Sequence, residues 1–275
     1  MRACHLASLL VAAGCSGESL PSPSAVRALR VVALVTETPE VAPGERARVT
    51  AAWVDPTPGR ALEARWQLCA EADVGDPRRC AAASEAMDLG DGESVTTPPL
   101  TRPGVYFVLV AACVGGAPTL RRDLGHWRCA DGGYAEEVFR RIAVTLAGPR
   151  NRPPGIAGWA LTRGDAAVNL PLEGDAAVSL PPCDRAECGP WSLRLRPAED
   201  AAETLPDGGR EALSASFFVT SGSTDRPRDT ASPGASRELA VRWTPAGSSA
   251  AVWVVLRDQR GGETARGATV TGSGR

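Results

Sequence analysis

Along most of the chain, apolar and polar residues alternate one by one, the spacing of a strand with one buried face rather than of a helix. Residues 29–35 form a β-branched, apolar run, and 39–45 carry Pro39, Pro43 and Gly44, which enforce a turn. Residues 46–54 place Ala47, Val49, Ala51 and Trp53 on one face against Arg48, Thr50 and Ala52 on the other. Asp55, Pro56 and Gly59 break the run, and 61–70 resume it with Leu62, Ala64, Trp66 and Leu68 set against Glu63, Arg65 and Gln67. Strand, proline-rich turn and tryptophan-bearing strand is the rhythm of a sandwich sheet. Residues 71–100 are irregular, with one or two helical turns expected over 81–87 before Gly90 and Gly92 end them. A nearly continuous apolar run at 105–113 suits a central strand, 115–133 make a long excursion, and 137–146 close the unit as a last strand.

Residues 148–154 hold Pro149, Pro153 and Pro154 among Arg and Asn, which suits neither a helix interior nor a central strand, so the domain boundary is placed there. Beyond it, 156–161 read as a strand, and an octad beginning Gly164-Asp165-Ala166-Ala167 is echoed from Gly174-Asp175-Ala176-Ala177, each copy a turn pair followed by strand-prone residues. Two copies are too few for a solenoid. Strands are expected at 191–196, where Trp191, Leu193 and Leu195 alternate with Ser192, Arg194 and Arg196, and at 213–220, 237–243, 250–256 and 265–271. The pattern therefore predicts an all-β chain: two immunoglobulin-like antiparallel β-sandwich domains in tandem, at 27–147 and 155–275, behind a leader and a tether.

The leader is the part of the chain that does not fit a strand pattern. Arg2 gives a short basic start, residues 6–13 are apolar, and Ala12, Ala13 and Gly14 are small residues in front of Cys15. That is the form of an export signal, too short to cross a bilayer. Val11-Ala12-Ala13-Gly14-Cys15 resembles the lipobox of bacterial lipoproteins, with Ala12 where that family more often has leucine. The resemblance implies that 1–14 are removed, that Cys15 carries a diacylglyceryl thioether and an acylated amine such as a palmitoyl amide, and that more than one chain makes the anchoring stable. Ser16 resembles the residue found after the cysteine in lipoproteins sent to the outer membrane of Gram-negative bacteria. Residues 16–24 are polar and proline-bearing, and 15–26 read as the lipidated cysteine with its tether.

Composition adds exclusions. The net charge is -2 and all 30 basic residues are arginine, interspersed with 32 acids, so no basic stripe tracks a phosphate backbone and no nucleic-acid partner is expected. Without lysine, Schiff-base and Walker-type chemistry are excluded. Of the 8 cysteines, Cys4 leaves with the leader and Cys15 is lipidated. The remainder, Cys69, Cys80, Cys113, Cys129, Cys183 and Cys188, suit disulfides in an oxidising compartment, with sequence distance favouring pairs of successive cysteines.

Two further stretches resemble a family. Residues 39–45, Trp53-Val54-Asp55-Pro56 and Arg65-Trp66-Gln67-Leu68-Cys69 resemble the opening of immunoglobulin-like domains in surface lipoproteins of myxobacteria, and Val241-Arg242-Trp243-Thr244-Pro245 with 252–262 resembles their final hairpin. The resemblance implies that Arg257-Asp258-Gln259-Arg260-Gly261-Gly262 is the turn after a core strand. The bare residues agree, since the glycines allow positive-φ positions and the charged groups can cap the turn. A calcium site at Asp258 with Asp225 or Asp229 would need six or more converging oxygens, and no repeated acidic motif is present.

No catalytic set emerges. After removal of the leader His126 is the one histidine left, and its surroundings hold no nucleophile elbow. A lone histidine builds no three-ligand zinc site either, and neither metal nor cofactor is expected. Of the 7 tryptophans, Trp53, Trp66, Trp243 and Trp253 fall at inward-phase strand positions and are assigned to cores. Trp127, Trp159 and Trp191 are placed in loops or near the boundary, where exposed aromatics would bind a sugar or a protein. The expected role is a non-enzymatic scaffold, spacer or adhesion protein, lipid-anchored in the cell envelope at the outer membrane, with a protein or polysaccharide partner. The alternative is an envelope glycan-binding or glycan-active protein using those three tryptophans.

Overall fold

The structure, a computed structural model, describes residues 22–57, 59–146, 150–173, 177–181, 189–205, 207–233 and 237–272. Cys15, the lipobox and the Cys183–Cys188 pair lie outside the described residues. The chain is mostly antiparallel β, organised as two sandwiches in tandem.

The first sandwich contains β1 (Arg30–Thr36), β2 (Glu40–Val41), β3 (Arg48–Val54), β4 (Leu62–Ala70), β5 (Met87–Asp91), β6 (Ser94–Thr96), β7 (Gly104–Val114), β8 (Thr119–Arg121), β9 (His126–Arg128) and β10 (Glu136–Val144). Its sheets have the orders β1-β3-β6 and β2-β10-β7-β4-β5, with β2 parallel to β10 and a separate β8-β9 hairpin. The second contains β11 (Ile156–Arg163), β12 (Ala166–Asn169), β13 (Ala177–Ser179), β14 (Trp191–Pro197), β15 (Ser214–Val219), β16 (Ser223–Thr224), β17 (Arg228–Thr230), β18 (Leu239–Thr244), β19 (Ser249–Arg257) and β20 (Glu263–Thr271). Its sheets run β12-β11-β14-β18-β16 and β13-β20-β19-β15-β17, with β13 parallel to β20.

Set side by side, the two orders coincide. Without the added strands β12 and β16, β11-β14-β18 repeats β1-β3-β6, and β13-β20-β19-β15-β17 repeats β2-β10-β7-β4-β5, including the parallel strand at one edge. The halves are thus one topology used twice. The octad echo noted in the sequence is unrelated to it, since its two copies supply β12 and β13, which belong to opposite sheets.

Each sandwich fills its interior with the inward-facing half of its alternating strands. Trp66 on β4 is fully buried among Leu34, Val49, Val108, Val110 and Ile142, and its indole donates to the Gly92 carbonyl at 2.7 Å. In the second sandwich Trp191, Trp243 and Phe217 pack with Leu161, Leu193 and Leu239, and Trp243 donates to the Ser221 carbonyl at 2.9 Å.

The continuous apolar runs mark strands covered on both faces. On β7, Val108, Val110 and Ala112 face the interior, while Phe107, Leu109, Ala111 and Cys113 face a cap. That cap is built from a one-turn helix α1 (Glu71–Val74), a 3-10 helix (Pro77–Ala82) and the β8-β9 hairpin. The short helices replace the turns expected at 81–87. Disulfides Cys69–Cys80 and Cys113–Cys129 tie the cap to β4 and β7.

This arrangement corrects the placement of three tryptophans. Trp127 on β9 is 5% exposed because it is the underside of the cap, Trp159 on β11 is 3% exposed and Trp191 at the start of β14 is 0% exposed. Trp159 donates to the Pro171 carbonyl at 2.7 Å. None of the three is a surface platform, and the alternation that buries Leu193 and Leu195 already carries Trp191 inward. Trp253 is the converse case. Val252, Val254 and Leu256 take the inner face of β19, so Trp253 points out of the second sandwich and is only half buried.

Candidate functional site

The outward faces of β1-β3 and of β15-β19-β20 lie against each other, so the two sandwiches share a junction. Val26, Val32, Ala33 and Val54 from the first meet Val255 from the second, flanked by Ala52, Phe218, Ala251, Trp253 and Ala265. Apolar side chains on sheet faces gain by leaving water together, so a second layer beyond each core follows from the same physics as the cores. The segment ahead of β1 joins in: Val26 N–H donates to the Val219 carbonyl at 2.9 Å and Val219 N–H to the Ser24 carbonyl at 2.9 Å. The chain entering the first sandwich is therefore clamped to β15 of the second.

At one margin of the apolar patch stands a charged latch made by the β19-β20 turn. Asp258 accepts from Gly262 N–H at 2.6 Å and from the Asn151 amide at 3.1 Å, which joins the turn to the interdomain segment. Gly262 is required there, because a Cβ would collide with the Asp258 carboxylate and come within 3.0 Å of the Arg152 carbonyl. Arg140, reaching over from β10, donates to the Gly261 carbonyl and pairs with Glu263 at 3.1 Å. Glu263 also holds Arg257 at 3.0 Å, and Arg257 donates to the Val32 carbonyl of β1 at 3.1 Å. Arg260 bridges Glu40 of β2 at 2.5 Å and Glu203 at 3.4 Å, while Asn151 N–H donates to Glu40 at 2.9 Å. Glu203 in turn takes Arg152 at 3.0 Å.

Burial sets the electrostatics of this latch. Arg140 is 5% exposed, and loss of water lowers its pKa against the support of Glu263 and Asp258. Desolvation likewise raises the Asp258 carboxyl, opposed by the Gly262 and Asn151 hydrogen bonds, and raises that of buried Glu211, whose other oxygen accepts from Glu203 N–H at 3.0 Å. A buried pair of this kind is costly to break from one side, because the remaining charge is stranded. The turn foreseen in the sequence is present, but its contacts with Glu40, Val32 and Arg140 are a tertiary fact.

Beside the junction a cleft of about 500 Å³ opens between β3 and the β19-β20 pair. Ala51, Ala52, Trp53 and Val54 line it from one sandwich, Ala251, Trp253, Gly267 and Thr269 from the other, and Asp55, Thr57, Arg60 and Glu93 stand around it. Asp55 and Arg60 are paired at 2.6 Å, and Asp55 also accepts from Thr57 N–H at 3.0 Å, so the loop at the mouth is pinned. The Asp55 carboxyl is held below its ordinary value: burial raises it, and the Arg60 and Thr57 hydrogen bonds outweigh that.

Elsewhere chemistry is sparse. His126 stacks edge-on against Tyr134 at 5.5 Å, and among the described residues no group of three or more His, Cys, Asp or Glu is placed to hold a metal. Asp229 serves structure: Arg237 grips both of its oxygens at 2.9 and 3.0 Å, and Asp225 accepts from Arg242 N–H at 2.8 Å. A larger open groove around Arg150, Arg152, Asp200, Glu203 and Arg210 is edged by charges, of which Arg150, Arg152 and Glu203 are already in ion pairs.

No protein-family model matches the chain, and no curated protein matches it. Solved structures that align with it include the fibronectin(III)-like modules of Clostridium thermocellum CbhA, at 10% identity over 88% of this chain and 93% of that one, with a TM-score of 0.25. The Yersinia pseudotuberculosis adhesin InvE aligns at 14% identity over 88% of this chain and 60% of its own, with a TM-score of 0.23. DIP-gamma IG1+IG2 aligns at 9% identity over 89% and 97%, with a TM-score of 0.24. At such TM-scores the architecture rests on its own strand order.

Proposed function

We propose that this chain is an exported protein of the bacterial cell envelope, anchored through a lipid on Cys15, whose two immunoglobulin-like sandwiches act as a non-enzymatic scaffold or adhesion unit. The observation that carries the reading is the combination of an export-type leader with two disulfides that staple the cap, because such bonds persist outside the reducing cytoplasm. Ser16 favours the outer membrane, and the partner is a protein or polysaccharide of the envelope.

The clamp at Val219 refines the role. From Cys15 to Ser24 an extended chain spans at most about 32 Å, so a lipid on Cys15 holds the seam between the sandwiches close to the bilayer. Of the roles considered, a long-reach spacer is the least supported, and a scaffold presenting a wide face near the membrane is the best. The latch and the apolar junction support use of the two sandwiches as a unit.

Mass spectrometry of the native mature protein tests the anchor. The expected result is an N-terminal Cys15 bearing diacylglyceryl and acyl groups, with Cys15→Ser moving the protein from the detergent phase to the aqueous phase. An unacylated Cys15, or an unprocessed chain with reduced thiols in the cytosol, overturns the reading.

A further inference from the structure

We propose that the cleft between β3 and the β19-β20 pair is a saccharide-binding subsite, with Trp253 as its stacking platform. The inference is independent of the lipid anchor and relocates sugar recognition from the three buried tryptophans to the junction.

The floor is an aromatic plane with room built around it. Trp253 and Gly267 are cross-strand partners, and a Cβ on Gly267 would come within 2.5 Å of the Trp253 ring, so the indole lies across the glycine. Any other residue there would displace the ring. The indole N–H of Trp253 has no hydrogen-bond partner among the described residues. The outward-facing wall residues are small: Ala52 and Ala251 leave the volume of about 500 Å³ unfilled. A ring with one apolar C–H face fits against such a plane, as aromatic side chains present a flat, rigid, electron-rich surface.

The rim supplies the second half of the recognition. Thr57, Arg60, Glu93 and Thr269 provide donors and acceptors of both signs, while the Asp55 side chain, 3% exposed, is taken up by Arg60 and Thr57 N–H. Arg60 spends Nε and Nη2 on Asp55, each at 2.6 Å, and its Nη1 has no partner among the described residues. An apolar plane ringed by mixed hydrogen-bonding groups matches a pyranose, which has hydroxyls around its edge. A purely apolar ligand fits less well, because it would find no Leu, Ile or Phe among the lining residues. The two walls belong to different sandwiches, so the subsite exists only while the junction is closed, and domain interfaces are common places for such clefts.

The test uses the mature full-length protein in detergent, titrated with cellotetraose, N-acetylchitotetraose and maltotetraose by calorimetry and tryptophan fluorescence. Saturable binding of at least one is expected, with Trp253→Ala weakening it about tenfold or more, the scale on which one anchoring aromatic dominates a small contact surface. Trp253→Phe should recover part of that loss. Thr57→Arg, at an exposed mouth position outside both cores, should weaken binding while leaving the thermal midpoint unchanged, which keeps the proposal testable if Trp253→Ala fails to fold. Absence of saturable binding to all three sugars overturns the proposal, and so does binding that neither Trp253→Ala nor Thr57→Arg reduces. Either failure leaves the mass-spectrometric result on Cys15 untouched.

Discussion

Replacing Asp229 by asparagine should cost the second sandwich about 2 kcal/mol at neutral pH, and nearly all of that difference should vanish in acid. Asp229, 9% exposed, lies on β17 of one sheet and accepts from Ala240 N–H on β18 of the other at 3.0 Å. Arg237 holds both of its oxygens, Thr230 N–H donates to it at 3.0 Å, and Arg226 stands at 3.8 Å. With the Arg237 hydrogen bonds as the largest cause, against an opposing effect of burial, its pKa falls from 3.8 to about 2. A depressed carboxyl stabilises the fold while it is ionised. That contribution is complete above the unfolded value of 3.8 and is lost as pH falls through the folded value of about 2. The gap between the two values corresponds to about 2 kcal/mol. The assay is urea denaturation followed by fluorescence, with Trp191 and Trp243 reporting from the second core, for parent and Asp229→Asn at several pH values. The difference between the two proteins isolates this site from other depressed carboxyls such as Asp55 and Asp88. A difference that stays constant from neutral pH down to about pH 2, or that is below about 0.5 kcal/mol at pH 7, refutes the reasoning.

Two more predictions concern the junction. Arg140→Ala removes the Glu263 pair and the donor to Gly261 from a site 5% exposed, and should destabilise by about 3–5 kcal/mol in denaturant titration, with increased hydrogen exchange at Val32 and Val255; a loss below about 1 kcal/mol would count against the latch. Glu211→Gln keeps the acceptor for Glu203 N–H while removing a carboxylate whose pKa burial has raised from 4.5. A raised carboxyl penalises the fold at pH above its folded value and ceases to do so as pH falls below 4.5, so the variant should be at least as stable as the parent at pH 7 and lose that advantage in acid; a variant less stable at pH 7 contradicts this.

Much of the architecture was legible in the residues because strand burial leaves a period of two. β14 buries Trp191, Leu193 and Leu195 as its alternation requires, and the turn at Asp258–Gly262 falls where the glycines allow it. Successive cysteines at 69 and 80 and at 113 and 129 are bonded as their spacing favoured. The tryptophans were harder, because periodicity reports that a residue alternates, not which face is covered. Trp127 looked like a loop residue, but the cap that carries it closes over β7 and buries it, and Trp253 looked like a core residue although the core takes the neighbouring positions.

Taken by itself, the sequence determined the β class, the turn positions and the inward face of each strictly alternating strand, all of which are local properties of short windows. In β1, β7 and β19 the apolar runs do not alternate, and in the fold both of their faces are covered. Only the tertiary structure decided what covers them: a disulfide-tied cap over β7, and one sandwich against the other over β1 and β19. Apolar burial is non-directional, so a run of apolar residues states that a partner exists without naming it, whereas the match of Arg140 to Glu263 and Gly261, or of Trp253 to Gly267, depends on residues far apart in the chain being brought to one place.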